Sequence, residues 1–136
     1  MLLGAKPSVD DTGSSADAPP VWRPNARSPG AEEVPSMAVV LIARFDGDVS
    51  QLTQAYDRAH ALIMSRGGAT AFGELRHHCA VSDDALFIIG VWESEEHARS
   101  RWWSPQFEAT LTSVGFPAPQ AAQISLLQLH AIEPPL

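Results

Sequence analysis

The chain has 136 residues, 45% of them hydrophobic, and a formal net charge of -7. That length corresponds to one domain with enough apolar content for a core. The acidic balance, with Lys6 as the only lysine, excludes a nucleic-acid backbone as partner. No apolar run reaches the roughly 18 residues that a membrane span needs.

The single cysteine, Cys79, excludes an internal disulfide framework and fits a reducing compartment. MLLGAKPSVDD at the N-terminus lacks the apolar stretch of a signal peptide. The expectation is a cytoplasmic protein without a membrane or nucleic-acid partner. Residues 1–36 hold six of the eleven prolines and much Ser, Ala, Asp and Gly, with no period of 2 or 3.6. Such a segment buries too little apolar surface to offset its ordering entropy. It is expected to be a disordered leader, with Val21-Trp22 as its only bulky apolar pair. The folded domain is expected at 37–136.

Within that domain, MAVVLIARF (37–45) is short and β-rich and predicts a strand. Leu52, Ala55, Tyr56, Ala59, Leu62 and Ile63 then recur at helical spacing, and Gly67-Gly68 closes the helix. AFGELRHHCAV (71–81) predicts a second strand. Ser82-Asp83-Asp84 supplies turn chemistry. ALFIIGVWE (85–93) predicts a buried third strand. A second helix is predicted over 94–113, and AAQISLLQLHAI (about 122–132) reads as a fourth strand. The order is β-α-β-β-α-β, a ferredoxin-like α+β arrangement.

The segment VWESEEHARSRWWSPQFEATL carries the most information. Ser94 stands where the helix begins, and Glu95 and Glu96 meet the positive end of its dipole. Ala98, Trp102, Phe107, Leu111 and Val114 form an apolar stripe. Ser104-Pro105 combines a second cap with a proline suited to a first helical position, which predicts a break or kink. Trp103 lies beside the stripe, where it is partly exposed or at a subunit contact.

This stretch, following a β-α-β-β frame, resembles the antibiotic-biosynthesis-monooxygenase-like (ABM) group of dimeric α+β barrels. The resemblance rests on a strand ending in Trp-x-Ser, then acidic residues, aromatics, Ser-Pro-x-Phe, Gly and Pro. It covers roughly residues 37–132. It implies a homodimer whose sheets face one another, with a ligand space near the sheet. The group includes cofactor-free oxygenases, haem-degrading enzymes and many proteins without a known role.

Strand alternation sorts candidate residues onto faces. A hairpin centred on Asp83 would set Glu74, Arg76 and His78 on the face of Trp92, beside Leu86 and Ile88. Arg44, on the face of Val40 and Ile42, and Gln128 and His130 at the other end of the chain complete a polar set. If the helices cover the more apolar faces, this set faces a partner sheet. A pocket and a polar dimer interface fit it equally well. Trp102 is expected as a core residue or pocket wall.

Two function readings follow. One is a dimeric barrel that binds a small hydrophobic or aromatic molecule. The other is a cofactor-independent monooxygenase, or a related enzyme modifying aromatic polyketides. The second needs a base and a cation beside the substrate anion, roles that fall to His78 and Arg44. No cofactor is expected in either. Haem chemistry conflicts with two positions. Leu111 stands where the resemblance would put an iron-binding histidine, and the only asparagine, Asn25, lies in the leader. His77 and His78 are adjacent in a strand and point to opposite faces. His77 and Cys79 share a face without an evident third ligand, so no metal site is expected. No phosphate loop or nucleophile elbow occurs.

Overall fold

The computed structural model describes residues 37–136 together with Thr12–Gly13 and Ala16–Asp17. The chain divides into two units, Met1–Glu33 and Val34–Leu136. In the first, Thr12 pairs with Asp17 and Gly13 with Ala16 in a two-rung antiparallel ladder. The rest of the leader, including Val21 and Trp22, lies outside the described residues.

The second unit begins with β1 (Val39–Asp46) and α1 (Val49–Ser65). Asp48 caps α1, its carboxylate accepting from Gln51 N at 2.9 Å. Leu52, Ala55 and Ala59 form its buried stripe. A 3₁₀ turn at Thr70–Phe72 ends in Gly73, whose φ of 94° suits glycine. β2 (Glu74–Val81) and β3 (Ala85–Trp92) follow as a hairpin.

The expected second helix is two helices, α2 (Glu95–Trp102) and α3 (Pro105–Ser113). Ser94 caps the first by accepting from His97 N, and Ser104 caps the second by accepting from Phe107 N. Pro105 occupies the start of α3, where its missing N–H costs nothing. β4 (Gln123–Gln128) closes the unit. It is shorter than expected, and the chain leaves the sheet after Leu129 N donates to Ala38 O at 3.0 Å.

The four strands form one antiparallel sheet in the order β2-β3-β1-β4. This is the expected ferredoxin-like topology. Val39, Leu41, Ala43 and Phe45 of β1 and Leu86, Ile88 and Trp92 of β3 are buried on the helix side. They pack against α1, α2 and α3 with Trp102, Phe107, Leu111 and Phe116. Phe116 meets Phe45 edge-on at 4.8 Å between ring centroids, and Phe107 meets Trp102 similarly at 5.1 Å.

The register corrects the expected faces. Val81 pairs with Leu86 and Ala80 with Phe87, so the hairpin is centred between Asp83 and Asp84. A one-residue change of register exchanges the two faces. Trp92, Leu86 and Ile88 therefore face the helices, away from Arg44 and His78. Gln128 pairs with Val39 and belongs to the helix side too. The outer face carries Val40, Ile42 and Arg44 of β1, Arg76, His78 and Ala80 of β2, Phe87, Ile89 and Val91 of β3, and Ser125 and Leu127 of β4, so Arg76 stands opposite Val91 and not on the face of Trp92. The register slips once more at Leu75, where β2 bulges: Glu74 pairs with Trp92 but Arg76 with Val91.

Candidate functional site

Between the helix side of the sheet and the helices lies a cavity of about 270 Å³. That is near the lower edge of the roughly 300–1,000 Å³ usual for small-molecule sites. Ile88, Trp92, Trp102, Phe107 and Leu111 make its apolar floor and back wall. α1 contributes Tyr56, Ala59, His60, Ile63 and Met64, and the loop at Gly67–Thr70 borders it. Glu74, Leu75, Arg76 and His77 of β2 form the opposite side, and Arg101 enters from α2.

Its polar side is a chain of three side chains. His77 Nδ1 lies 2.9 Å from Glu74 Oε2, and His77 Nε2 lies 2.6 Å from Tyr56 Oη. A carboxylate only accepts, so Nδ1 carries the proton. Nε2 is then the acceptor, and the Tyr56 hydroxyl donates to it. The Glu74 side chain is only 9% exposed and the His77 side chain 31%. Burial raises the Tyr56 phenol well above its usual range, and the charges of Cys79, Glu74 and Asp57 act in the same direction. The phenol therefore stays protonated and keeps its role as donor. His60 stacks on both Tyr56 and His77, with centroids 5.7 and 6.1 Å away.

Trp92 is 1% exposed, and its indole Nε1 has no hydrogen-bond partner among the described residues. A buried donor left unpaired costs about 1–3 kcal/mol. Gly90 explains the space beside it. A Cβ at residue 90 would come 2.7 Å from Trp92 Nε1 and 2.6 Å from Glu74 Oε2. Glycine thus lets the carboxylate and the indole approach over the strand backbone.

Arg101 is 8% exposed. Its guanidinium sits 4.1 Å from the Phe72 ring centroid and 4.6 Å from that of Phe107. Burial lowers its pKa, while the nearby Glu74 charge pulls it back up. Arg101 also borders a second, more open cleft with Phe72, Glu96, His97, Ser100, Ser104 and Gln106.

Of the residues singled out from the sequence, Glu74, Arg76, Trp92 and Trp102 line the cavity. Arg76 Nη2 also donates to Pro135 O at 3.1 Å. His78 and Arg44 lie on the outer face, so neither converges with Trp92. Arg44 is held by Asp46 at 2.8 Å, sits near Asp84, and covers the Phe87 ring. Gln128 Nε2 donates to Ala38 O at 3.1 Å, and His130 lies exposed beyond the end of β4. Tyr56, His77 and Arg101 were not singled out for the site. Tyr56 reads in the sequence as one more apolar-stripe residue, and no sequence pattern marks Arg101. His77 and its neighbour His78 exchange faces with the hairpin register.

Among the described residues no group of three or more His, Cys, Asp or Glu side chains is placed to hold a metal ion, and no helix is long and apolar enough to cross a membrane. No family model matches the sequence, and no curated protein matches it. Solved structures do. SnoaB, a cofactor-independent oxygenase from Streptomyces nogalater, is 21% identical, with a TM-score of 0.50 over 72% of this chain and 98% of that one. Rv0793 from Mycobacterium tuberculosis is 17% identical, with a TM-score of 0.50 over 71% and 98%. NE2512 from Nitrosomonas europaea, of unknown function, is 15% identical, with a TM-score of 0.52 over 76% and 99%. The chain has the ferredoxin-like α+β fold of these proteins, the fold implied by its resemblance to the ABM-like group.

Proposed function

We propose that this protein binds a small, mostly apolar, planar molecule in the cavity between sheet and helices, and that it does so as a homodimer joined through the outer sheet faces. The observation that carries the binding reading is Trp92 Nε1, without a hydrogen-bond partner among the described residues and buried at the polar side of an otherwise apolar cavity. A ligand oxygen there would restore its hydrogen bond. Support for the dimer comes from Val40, Ile42, Phe87 and Ile89 sharing one face, with Leu127 54% exposed beside them. The test is titration of the protein with naphthalene-sized aromatics, following the indole N–H resonance of Trp92 by NMR. A saturable shift of that resonance supports the site. Saturable binding that leaves it unmoved and instead perturbs the outer-face residues overturns it.

A second reading is cofactor-independent oxygenation in the same cavity, and the Glu74–His77–Tyr56 chain favours it. A ligand hydroxyl could donate to Tyr56 Oη while the Tyr56 proton passes to His77 Nε2. Glu74 would hold the resulting imidazolium. The substrate anion would then reduce O₂ itself, an activated CH₂ becoming C=O with release of water. His77 thus takes the role that the sequence reading gave to His78. Oxygen uptake with anthrone- or quinol-like compounds, without added flavin or metal, tests this reading. Turnover that survives His77→Ala unchanged would exclude His77 as the base.

A further inference from the structure

Arg101 presents an imbalance that the binding reading leaves unexplained. The residue as a whole is only 8% exposed, and its guanidinium lies 4.1 Å from the Phe72 ring centroid and 4.6 Å from that of Phe107. Its donors point outward in the plane of the group, yet among the described residues no side chain or carbonyl takes a hydrogen bond from it. Glu74 is the carboxylate whose charge it feels, but Glu74 is not in contact with it and is engaged by His77 Nδ1 at 2.9 Å. The end of α2 offers some compensation through its carbonyl dipole. Ser104 Oγ, however, already donates to Arg101 O at 2.8 Å. A buried cation normally keeps a partner, because desolvation without one is costly.

We propose that the molecule taken by the cavity is an aromatic carboxylate, and that Arg101 holds its carboxylate while Trp92 Nε1 donates to one of its polar atoms. This rests on the binding reading above and adds the charge of the ligand to it. A planar guanidinium matches a carboxylate with two parallel N–H···O bonds, which a lysine in that place would not. Phe107 and Trp102, in edge-on contact, give the attached ring an apolar wall. The contacts with the Phe72 and Phe107 rings hold the cation before the ligand arrives, which reduces the ordering entropy lost on binding.

The experiment compares 2-naphthoate with its neutral isostere 2-naphthamide, by calorimetry and by the Trp92 indole resonance. The expected result is about tenfold or greater preference for the carboxylate in the wild type, the scale of a charge-assisted hydrogen bond. Arg101→Met should abolish that preference and still bind the amide. Arg101→Lys should keep only part of it. Equal binding of both probes by the wild type overturns the charge assignment and leaves the cavity reading standing. If neither probe binds at millimolar concentration, the cavity reading falls and the assignment with it. Should Arg101→Met fail to fold, the wild-type comparison and Arg101→Lys decide the matter.

Discussion

Tyr56 Oη and His77 Nε2 lie 2.6 Å apart although 21 positions separate them in the chain. The contact ties the middle of α1 to the edge strand β2, and Tyr56 also packs edge-on against Phe116 at 6.4 Å. Removing the hydroxyl leaves the imidazole without its Nε2 partner at a half-open position. Tyr56→Phe should cost about 1 kcal/mol of stability, the usual net worth of one hydrogen bond. Urea unfolding would measure this. Under the oxygenase reading the same substitution should slow oxygen uptake about 10²–10⁴-fold without loss of fold. A variant that unfolds in step with its loss of turnover would assign the effect to structure alone.

Gly90→Ala is expected to harm the site more than its size suggests. The new Cβ would meet Glu74 Oε2 at 2.6 Å and Trp92 Nε1 at 2.7 Å. Both groups are well packed, so one must move. A stability loss of about 1–3 kcal/mol is expected, in the range of core overpacking. Loss of aromatic-probe binding should accompany it. Urea denaturation and the naphthalene-sized probes provide the readouts.

Alkali should loosen the contact between α1 and β2. Burial and Asp57 raise the Cys79 thiol to about 11, and burial raises the Tyr56 phenol further. A group whose folded pKa is raised favours the fold fully below its unfolded pKa and stops doing so as pH climbs to the folded value. For Cys79 that window runs from its unfolded pKa of roughly 8.5 to about 11. Melting temperature should hold near neutral pH and fall through this interval. Tyr56 and Cys79 are the only residues of their kinds in the chain. Phenolate absorbance therefore reports Tyr56 without ambiguity, and Cys79→Ser should flatten the first part of the decline. A melting temperature unchanged through this window would contradict the shifts.

Ile89→Lys places a charge at the centre of the outer sheet face. If that face joins two copies, light scattering should give twice 14.6 kDa for the wild type and a monomer for the variant. Deleting residues 1–36 should change neither assembly nor, by more than about 5 °C, the melting temperature. A shift of that size corresponds to roughly 1 kcal/mol for a domain of this length. Monomeric wild-type protein at low micromolar concentration would refute the proposed interface.

The fold was legible because each element carried its own punctuation. Gly67-Gly68 closed α1, Ser94 and Glu95-Glu96 opened α2, and Ser104-Pro105 marked the break confirmed between α2 and α3. The faces were harder. Every residue from Ala85 to Trp92 is apolar or glycine, so alternation within β3 cannot say which side is buried. The hairpin had to supply the answer, and its two-residue loop is a half-step from a turn centred on Asp83. Ser82 N donating to Ala85 O at 2.9 Å closes that loop. That half-step moved Trp92 to the helix side and paired the cavity with His77 in place of His78. Arg101 was hidden for another reason. It adjoins the apolar stripe of α2, and only the packing of Phe72 and Phe107 around it buries the charge.

The bulge at Leu75 bears on how the Glu74–His77 pair came to exist. Positions three apart in a regular strand look in opposite directions, so a carboxylate and an imidazole so spaced cannot meet. The extra residue reverses the alternation between them and turns both toward the same side. The pairing therefore depends on the bulge, independent of which residue occupies position 75. Substituting Leu75 would leave the parity intact, and deleting it would place Glu74 and His77 two apart in a regular strand, still on the same side. What would part the two side chains is a strand that keeps Leu75 and loses the bulge, so the proton path rests on the bulge itself and tolerates either substitution or loss of the residue that forms it.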